Sequence, residues 1–261
     1  MQGKVLIAGA GVGGLTLGVA LRQAGIECEI FEREPELRAA GAGLLLQTAP
    51  MQALAALQLD RAALAAGHRI GTGYLKTAGG AVLQASAMDF LEAEFGQPNI
   101  AIHRARLQAL LREAASDIPL HLNKKLASFE TTTTNATTQF TDGTSAEGAL
   151  LVGADGLRSA VRQQLLGDTP LRYGGYSTYR GVTEGEVAGE VCESWDQGRR
   201  FGYAPLGHGE VYWFAVFNAP AGEAHPHPKL HLRELFANFH APIPALIEAT
   251  PLDRILRTDI H

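Results

Sequence analysis

Two glycine-rich loops carry the residues best suited to chemistry. Gly9, Gly11 and Gly14 stand in the order G-x-G-x-x-G within "GAGVGG", with Val12 and Gly13 filling the variable positions. Such a loop brings backbone N–H groups to a pyrophosphate at a helix N-terminus: the first glycine makes the tight turn, the second lets the backbone approach the phosphates, and the third lets helix pack on strand. Glu32, followed by Arg33, ends the next apolar run, where a carboxylate accepts hydrogen bonds from both adenosine ribose hydroxyls and repels a 2′-phosphate. The second loop is "LLVGADGLRSAVR", Leu150–Arg162, with Gly153, Asp155, Gly156, Ser159 and Arg162 as its polar and flexible positions. An apolar strand ending at an acidic turn and a helix places a ligand beyond the carboxyl end of a parallel sheet. On its own, the same stretch also reads as an Asp-Gly turn followed by a surface helix.

The elements around these loops fit that chemistry. Lys4–Ala8 is β-rich, Leu15–Ala24 helix-forming, Gly25 suits a helix C-cap, and "CEIFE" is a second strand, so the N-terminus reads as a βαβ unit. A loop over Ala39–Gly43 leads into an amphipathic helix near Met51–Leu57. The β-rich "GTGYLKTAGGAVLQ" follows, and then a helix in "HRARLQALLREAA" with Leu107, Leu110, Leu111 and Ala114 on one face. Phe129–Thr144 alternates like strands, with a turn at "TDGT". After Gly167, "YGGYSTYRGV" and "RRFGYAPLGHGEVYWFAVFNAP" alternate aromatic and small residues over strand lengths, which predicts a mainly antiparallel sheet able to roof an aromatic ligand. Arg180, Arg200, Tyr203 and Tyr212 are its candidate ligand contacts. An arginine on an apolar strand calls for an anionic partner, and Arg200 is the first choice.

Composition narrows the field. The chain has 261 residues, 46% of them hydrophobic, and a net charge of −5, so it offers no basic field for nucleic acid or an anionic membrane. Cys28 and Cys192, its two cysteines, provide no disulfide framework, which fits a reducing cytoplasm. The glycines within the apolar N-terminal segment argue against a signal peptide, and no run reaches the length of a membrane span. His227 and His231 have helical spacing but lack a completing ligand set, so no metal site is expected.

With both loops in place, the sequence resembles the single-component FAD-dependent aromatic hydroxylases of the p-hydroxybenzoate hydroxylase fold. The resemblance implies an α/β fold: a Rossmann-like FAD/NAD(P)-binding domain over residues 1–70 and 100–168, and a mainly antiparallel β-sheet substrate domain over 71–99 and 169–261. It implies FAD held by Gly9, Gly11, Val12, Gly13, Gly14, Glu32, Arg33, Gly43, Arg104 of "HRARLQ", Asp155 and Gly156, with NAD(P)H as transient reductant. Arg200, Tyr212 and Arg180 would serve a small aromatic substrate that is hydroxylated with O2. The chain departs from the family pattern at Thr48 and Ala49, where relatives carry Pro-Asn. It also ends at His261, short of the family's Gly-Asp loop and the strand and helix around it. The last part of the FAD domain is therefore expected to be missing, with two consequences. The chain would hold FAD substoichiometrically and self-associate or need a partner chain, and the alternative activity is that of an incompetent FAD-binding remnant or one half of a split monooxygenase.

Overall fold

A computed structural model describes residues 3–37 and 42–261. Most of the expected loop Ala39–Gly43 lies outside the described residues. By their packing the residues divide into two compact units, residues 1–39 with 107–170 and residues 40–106 with 171–261. Residues 42–70 and 100–106, expected with the nucleotide-binding half, fall in the second unit.

In the first unit, the apolar run before "GAGVGG" forms strand Val5–Ala8, buried along its whole length. It lies between Leu150–Gly153 and Cys28–Phe31 in a four-stranded sheet completed by Leu120–His121, and every pairing is parallel. Parallel sheets are buried on both faces, which accounts for the nearly unbroken apolar sequence of the central strand. Helix Val12–Gln23 covers the sheet through Leu15 and Val19. Gly18 permits this approach, because a Cβ there would lie only 3.1 Å from Ile30. The Thr-rich segment forms a three-stranded antiparallel sheet of Leu126–Thr131, Ala136–Phe140 and Ser145–Gly148.

The second unit is built on a seven-stranded sheet. Its order is Leu256–Asp259, Tyr176–Glu184, Glu210–Asn218, Arg199–Gly207, Val191–Asp196, Thr72–Thr77, Val82–Ala87. All pairings are antiparallel except that of Val191–Asp196 with Thr72–Thr77. Strand alternation sorts the side chains onto two faces. Tyr179, Phe201, Tyr203, Trp213 and Phe217 enter a core with Leu232 and Phe236 of helix Pro228–Phe236 and Ile243 and Ile247 of helix Ile243–Ala249. Trp213 donates through Nε1 to Thr250 Oγ1 at 2.8 Å, so the one polar group of this buried ring is satisfied. Arg180, Val182, Arg200, Gly202, Tyr212 and Phe214 occupy the other parity. A small sheet of Gly43–Leu46, Ile100–His103 and His68–Arg69 belongs to the same unit. No helix among the described residues is long and apolar enough to cross a membrane.

Candidate functional site

The two glycine loops of the first unit are neighbours in space. Strands Val5–Ala8 and Leu150–Gly153 run side by side in parallel, and Ala154 N–H donates to the Ala8 carbonyl at 2.7 Å, so both loops leave the sheet at the same end. Gly9 has φ +105°, and a Cβ there would lie 2.4 Å from the Ala154 oxygen. A Cβ on Gly14 would lie 1.9 Å from the Gly9 oxygen. These two glycines are fixed by turn and packing. Gly11 and Gly13 differ, because a Cβ on either meets nothing within 4 Å. Gly11 begins the helix without a side-chain cap, which leaves the first turn's N–H groups to an outside acceptor.

Glu32 stands at the mouth of this loop. One carboxylate oxygen accepts from Ala10 N–H at 2.7 Å and the other from Glu34 N–H at 3.0 Å. The acid is thus already aimed by the backbone, and each oxygen keeps a lone pair for a ribose hydroxyl. Arg33 is exposed and pairs with Glu34 at 3.2 Å. The loop's open glycines, uncapped helix start and oriented carboxylate match the pyrophosphate and ribose of a dinucleotide, so the residues fit FAD.

Asp155 has a structural task that its motif alone does not reveal. Its carboxylate accepts from Ser159 Oγ at 2.6 Å and from Ala160 N–H at 2.7 Å, closing the start of helix Ala160–Leu166, while Ser159 Oγ accepts from Arg162 N–H at 2.9 Å. Both readings of the stretch therefore have their residues in place: a capped turn, beside the first loop. Gly156 has φ +82° and open space where a Cβ would stand. Gly153 is held by packing, with Val161 2.8 Å from a Cβ at that position.

In the second unit the predicted residues separate. The two arginines of "HRARLQ" have different fates: Arg106 pairs with Glu210 and donates to the Leu206 carbonyl, whereas Arg104 is exposed and makes no ion pair among the described residues. Gly43 is buried where a Cβ would lie 2.3 Å from the Tyr212 ring, so its lack of a side chain seats that tyrosine. Tyr203 shares parity with Phe201 and lies in the helix-side core, 4% exposed, on the face opposite Tyr212. Tyr203, a candidate ligand contact by sequence, is thus a core residue of the sheet.

Arg180 and Tyr212 sit together. Arg180 stands opposite Phe214 in the register, diagonal to Tyr212 on the same face, and donates to Thr258 Oγ1 at 2.9 Å. Burial raises the Tyr212 pKa, while the positive charge of Arg180 opposes that rise. Arg180 makes no ion pair among the described residues. Arg200 lies opposite Val216, four residues along the strand from Ala204, the partner of Tyr212, a separation of roughly 13 Å at about 3.3 Å per residue. Its charge meets Glu193 at 3.3 Å. The anionic partner that sequence reasoning sought in a substrate is therefore supplied by the neighbouring strand. Arg200, Tyr176 and Trp195 line a 310 Å3 recess at this end of the sheet.

A parallel-sheet unit with paired glycine loops and an acid-tipped second strand, in a chain that also builds a mainly antiparallel sheet, defines the class of FAD-binding oxidoreductases. Residues 2–197 match the family model described as an FAD binding domain, and the chain belongs to this family of FAD-dependent aromatic hydroxylases and monooxygenases. Its relatives include an aurachin C monooxygenase/isomerase of Stigmatella aurantiaca, 47% identical over 98% of this chain and 68% of that protein. A FAD-dependent urate hydroxylase of Klebsiella pneumoniae is 30% identical over 99% of this chain and 69% of that protein. The crystal structure of Klebsiella pneumoniae HpxO complexed with FAD and uric acid superposes with a TM-score of 0.92 at 28% identity, covering 99% of this chain and 68% of that one. The chain is an enzyme by this family membership, with FAD as its cofactor and NAD(P)H as the family's usual reductant.

Proposed function

We propose that this flavoprotein hydroxylates a planar, electron-rich aromatic or heteroaromatic molecule bound as an anion, and that Arg180 and Tyr212 hold its ionised oxygen. The observation that carries this reading is Arg180, a half-buried guanidinium whose one hydrogen-bond partner among the described residues is the neutral Thr258 hydroxyl. A buried or half-buried cation without a carboxylate is costly unless a ligand supplies the negative charge. FAD, when bound and reduced by NAD(P)H, would supply the oxygen chemistry: one atom of O2 enters the substrate and the other leaves as water. Gly11, Gly13 and the start of helix Val12–Gln23 would hold its pyrophosphate and Glu32 its ribose, with Val12, Gly9 and Gly14 shaping the loop. Arg33, Gly43, Arg104, Asp155 and Gly156 are proposed as further cofactor contacts.

The protein's own groups perform the remaining tasks. Arg180 favours the substrate anion, which is more electron-rich than the neutral form. Tyr212, a phenol protonated at neutral pH whose pKa burial raises further, donates its O–H to the same oxygen beside Arg180. Ile70, Ala101, Val182, Ala204 and Leu206 form an apolar cluster around Tyr212 that keeps water away. Arg200, in its recess with Tyr176 and Trp195, would reach a second polar group of the substrate only by giving up its pairing with Glu193. Both cysteines are free thiols, in keeping with a reaction in the cytoplasm. For self-association or a partner chain the support is the edge strand Leu150–Gly153, together with exposed Leu150, Leu165 and Leu166.

The test is to purify the protein, record its flavin absorbance, and follow NAD(P)H oxidation with urate, 3-hydroxybenzoate and 6-hydroxynicotinate, substrates named for its relatives. Substrate-stimulated oxidation with one atom of 18O2 in the product is expected. Flavin-bound protein that oxidises NAD(P)H equally with and without every aromatic compound offered would overturn the reading.

A further inference from the structure

We propose that Phe214, whose ring reaches over Gly202, is the platform on which the substrate's ring stacks, and that this pair selects for planar rings. The inference rests on the reading that the Arg180–Tyr212 face receives the substrate. Phe214 stands directly opposite both Arg180 and Gly202, in the middle of three adjacent strands. A Cβ on Gly202 would lie 2.2 Å from the Phe214 ring, so the ring occupies the space that any other residue at 202 would fill. The far end of the ring thus fills the space above Gly202. Its centroid is 6.2 Å from that of Tyr212, with 40° between the planes. Phe214 is half-buried where Val182, Ala204 and Tyr212 of the same face are buried. The sheet centre thus carries an aromatic plate, flanked by a cation without a carboxylate and by a buried phenol.

Charge and shape point to the same ligand. Arg180 attracts an anion, Tyr212 offers an O–H to its oxygen, and a fixed aromatic face favours a flat π-system in offset stacking over a saturated ring of the same size. Glycine at 202 and phenylalanine at 214 act together: the first sets the height of the plate, the second provides its surface.

The experiment compares benzoate with cyclohexanecarboxylate, which share the carboxylate and differ in the ring, using isothermal titration of the wild-type holoprotein and of Phe214→Leu, Phe214→Trp and Gly202→Ala. Wild type and Phe214→Trp are expected to prefer the aromatic acid, and Phe214→Leu to bind it roughly two- to tenfold more weakly, with the preference lost and the melting temperature little changed. Gly202→Ala, which lifts the plate, should behave like Phe214→Leu. Equal preference in wild type and Phe214→Leu would overturn the platform while leaving the monooxygenase reading intact. Arg180→Ala should weaken both acids alike. Wild-type holoprotein that binds neither acid would overturn the substrate reading, and the platform with it.

Discussion

Gly13 and Gly14 are adjacent, yet replacing each by alanine should change stability in opposite directions. Both lie in the first turn of helix Val12–Gln23, where alanine is favoured over glycine by up to about 1 kcal/mol. At Gly13 the new methyl enters open space. At Gly14 it arrives 1.9 Å from the Gly9 oxygen, a backbone atom that cannot rotate away. The carbonyl must retreat, and overpacking of this kind costs typically 1–3 kcal/mol. The two variants should therefore differ by about 2 kcal/mol or more, or roughly 8 °C in melting temperature for a unit of this size. Thermal unfolding of flavin-free protein by circular dichroism measures the difference. Flavin retention should show a different order. Gly11→Ala and Gly13→Ala fold but obstruct the space where a pyrophosphate would lie, so both should release FAD on gel filtration. A Gly14→Ala protein as stable as Gly13→Ala would refute the packing argument, and full flavin retention by Gly11→Ala would refute the assignment of the open space.

Three further outcomes are expected. Glu32→Ala should weaken FAD binding by about 1.5–3 kcal/mol, the worth of hydrogen bonds to a charged group, as read by titration of stripped protein; unchanged affinity would remove Glu32 from the ribose site. Arg200→Ala should raise KM for an anionic substrate or lower the coupling of oxidation to product while flavin content stays constant. Loss of flavin would instead move Arg200 to the cofactor. Stability should fall as pH drops through about 6.5, because burial, followed by the charge of His225, holds the His231 pKa below the ordinary histidine value. His231 stacks on His225 with centroids 3.5 Å apart and faces the Tyr179 hydroxyl at 3.3 Å, with Glu223, Glu234 and Arg257 also acting on it. The unfolded chain takes up the proton first, so melting temperature decreases between neutral pH and the lowered value. His231→Gln should flatten that decrease in part, since His103 is depressed in the same direction.

Features written in short stretches of sequence were readable before the structure. The βαβ unit, the helix carrying Leu107 and Leu111, and the antiparallel strands around "TDGT" all follow from periodicity and turn residues. The distinct roles of the glycines were only partly readable. The motif assigns Gly9 and Gly14 to turn and packing, but the openness at Gly13 depends on which atoms fail to surround it. What sequence could not provide was the partner of each charge. Glu193 reaches Arg200 because Val191–Asp196 pairs with Arg199–Gly207, and nothing local signals that pairing. Asp155 is similar: "DGLRS" shows an acid and a serine four residues apart, a helix-start signature, and the same letters also fit a ligand-facing turn. Tyr203 and Tyr212 were both candidate ligand contacts, and they separate only once the register is known, which pairs Tyr203 with Trp213 and Ala204 with Tyr212.

The adjacency of the two glycine loops has a bearing on how the chain is made. Val5 pairs with Leu150, so the strand that leads into the first loop acquires one of its two neighbours only after about 140 further residues have been synthesised. Until then one side of Val5–Ala8 has no ladder, and Gly9 lacks the Ala154 carbonyl against which its turn is set. The entire segment from residue 40 to 106, which packs with the other unit, emerges from the ribosome in between. Long-range parallel pairing is slow to form because the loop must close before any contact rewards it. Strand Val5–Ala8 thus reaches its final surroundings well after it is made, and a chaperone that shields this apolar strand during that interval would raise the yield of protein able to take up flavin.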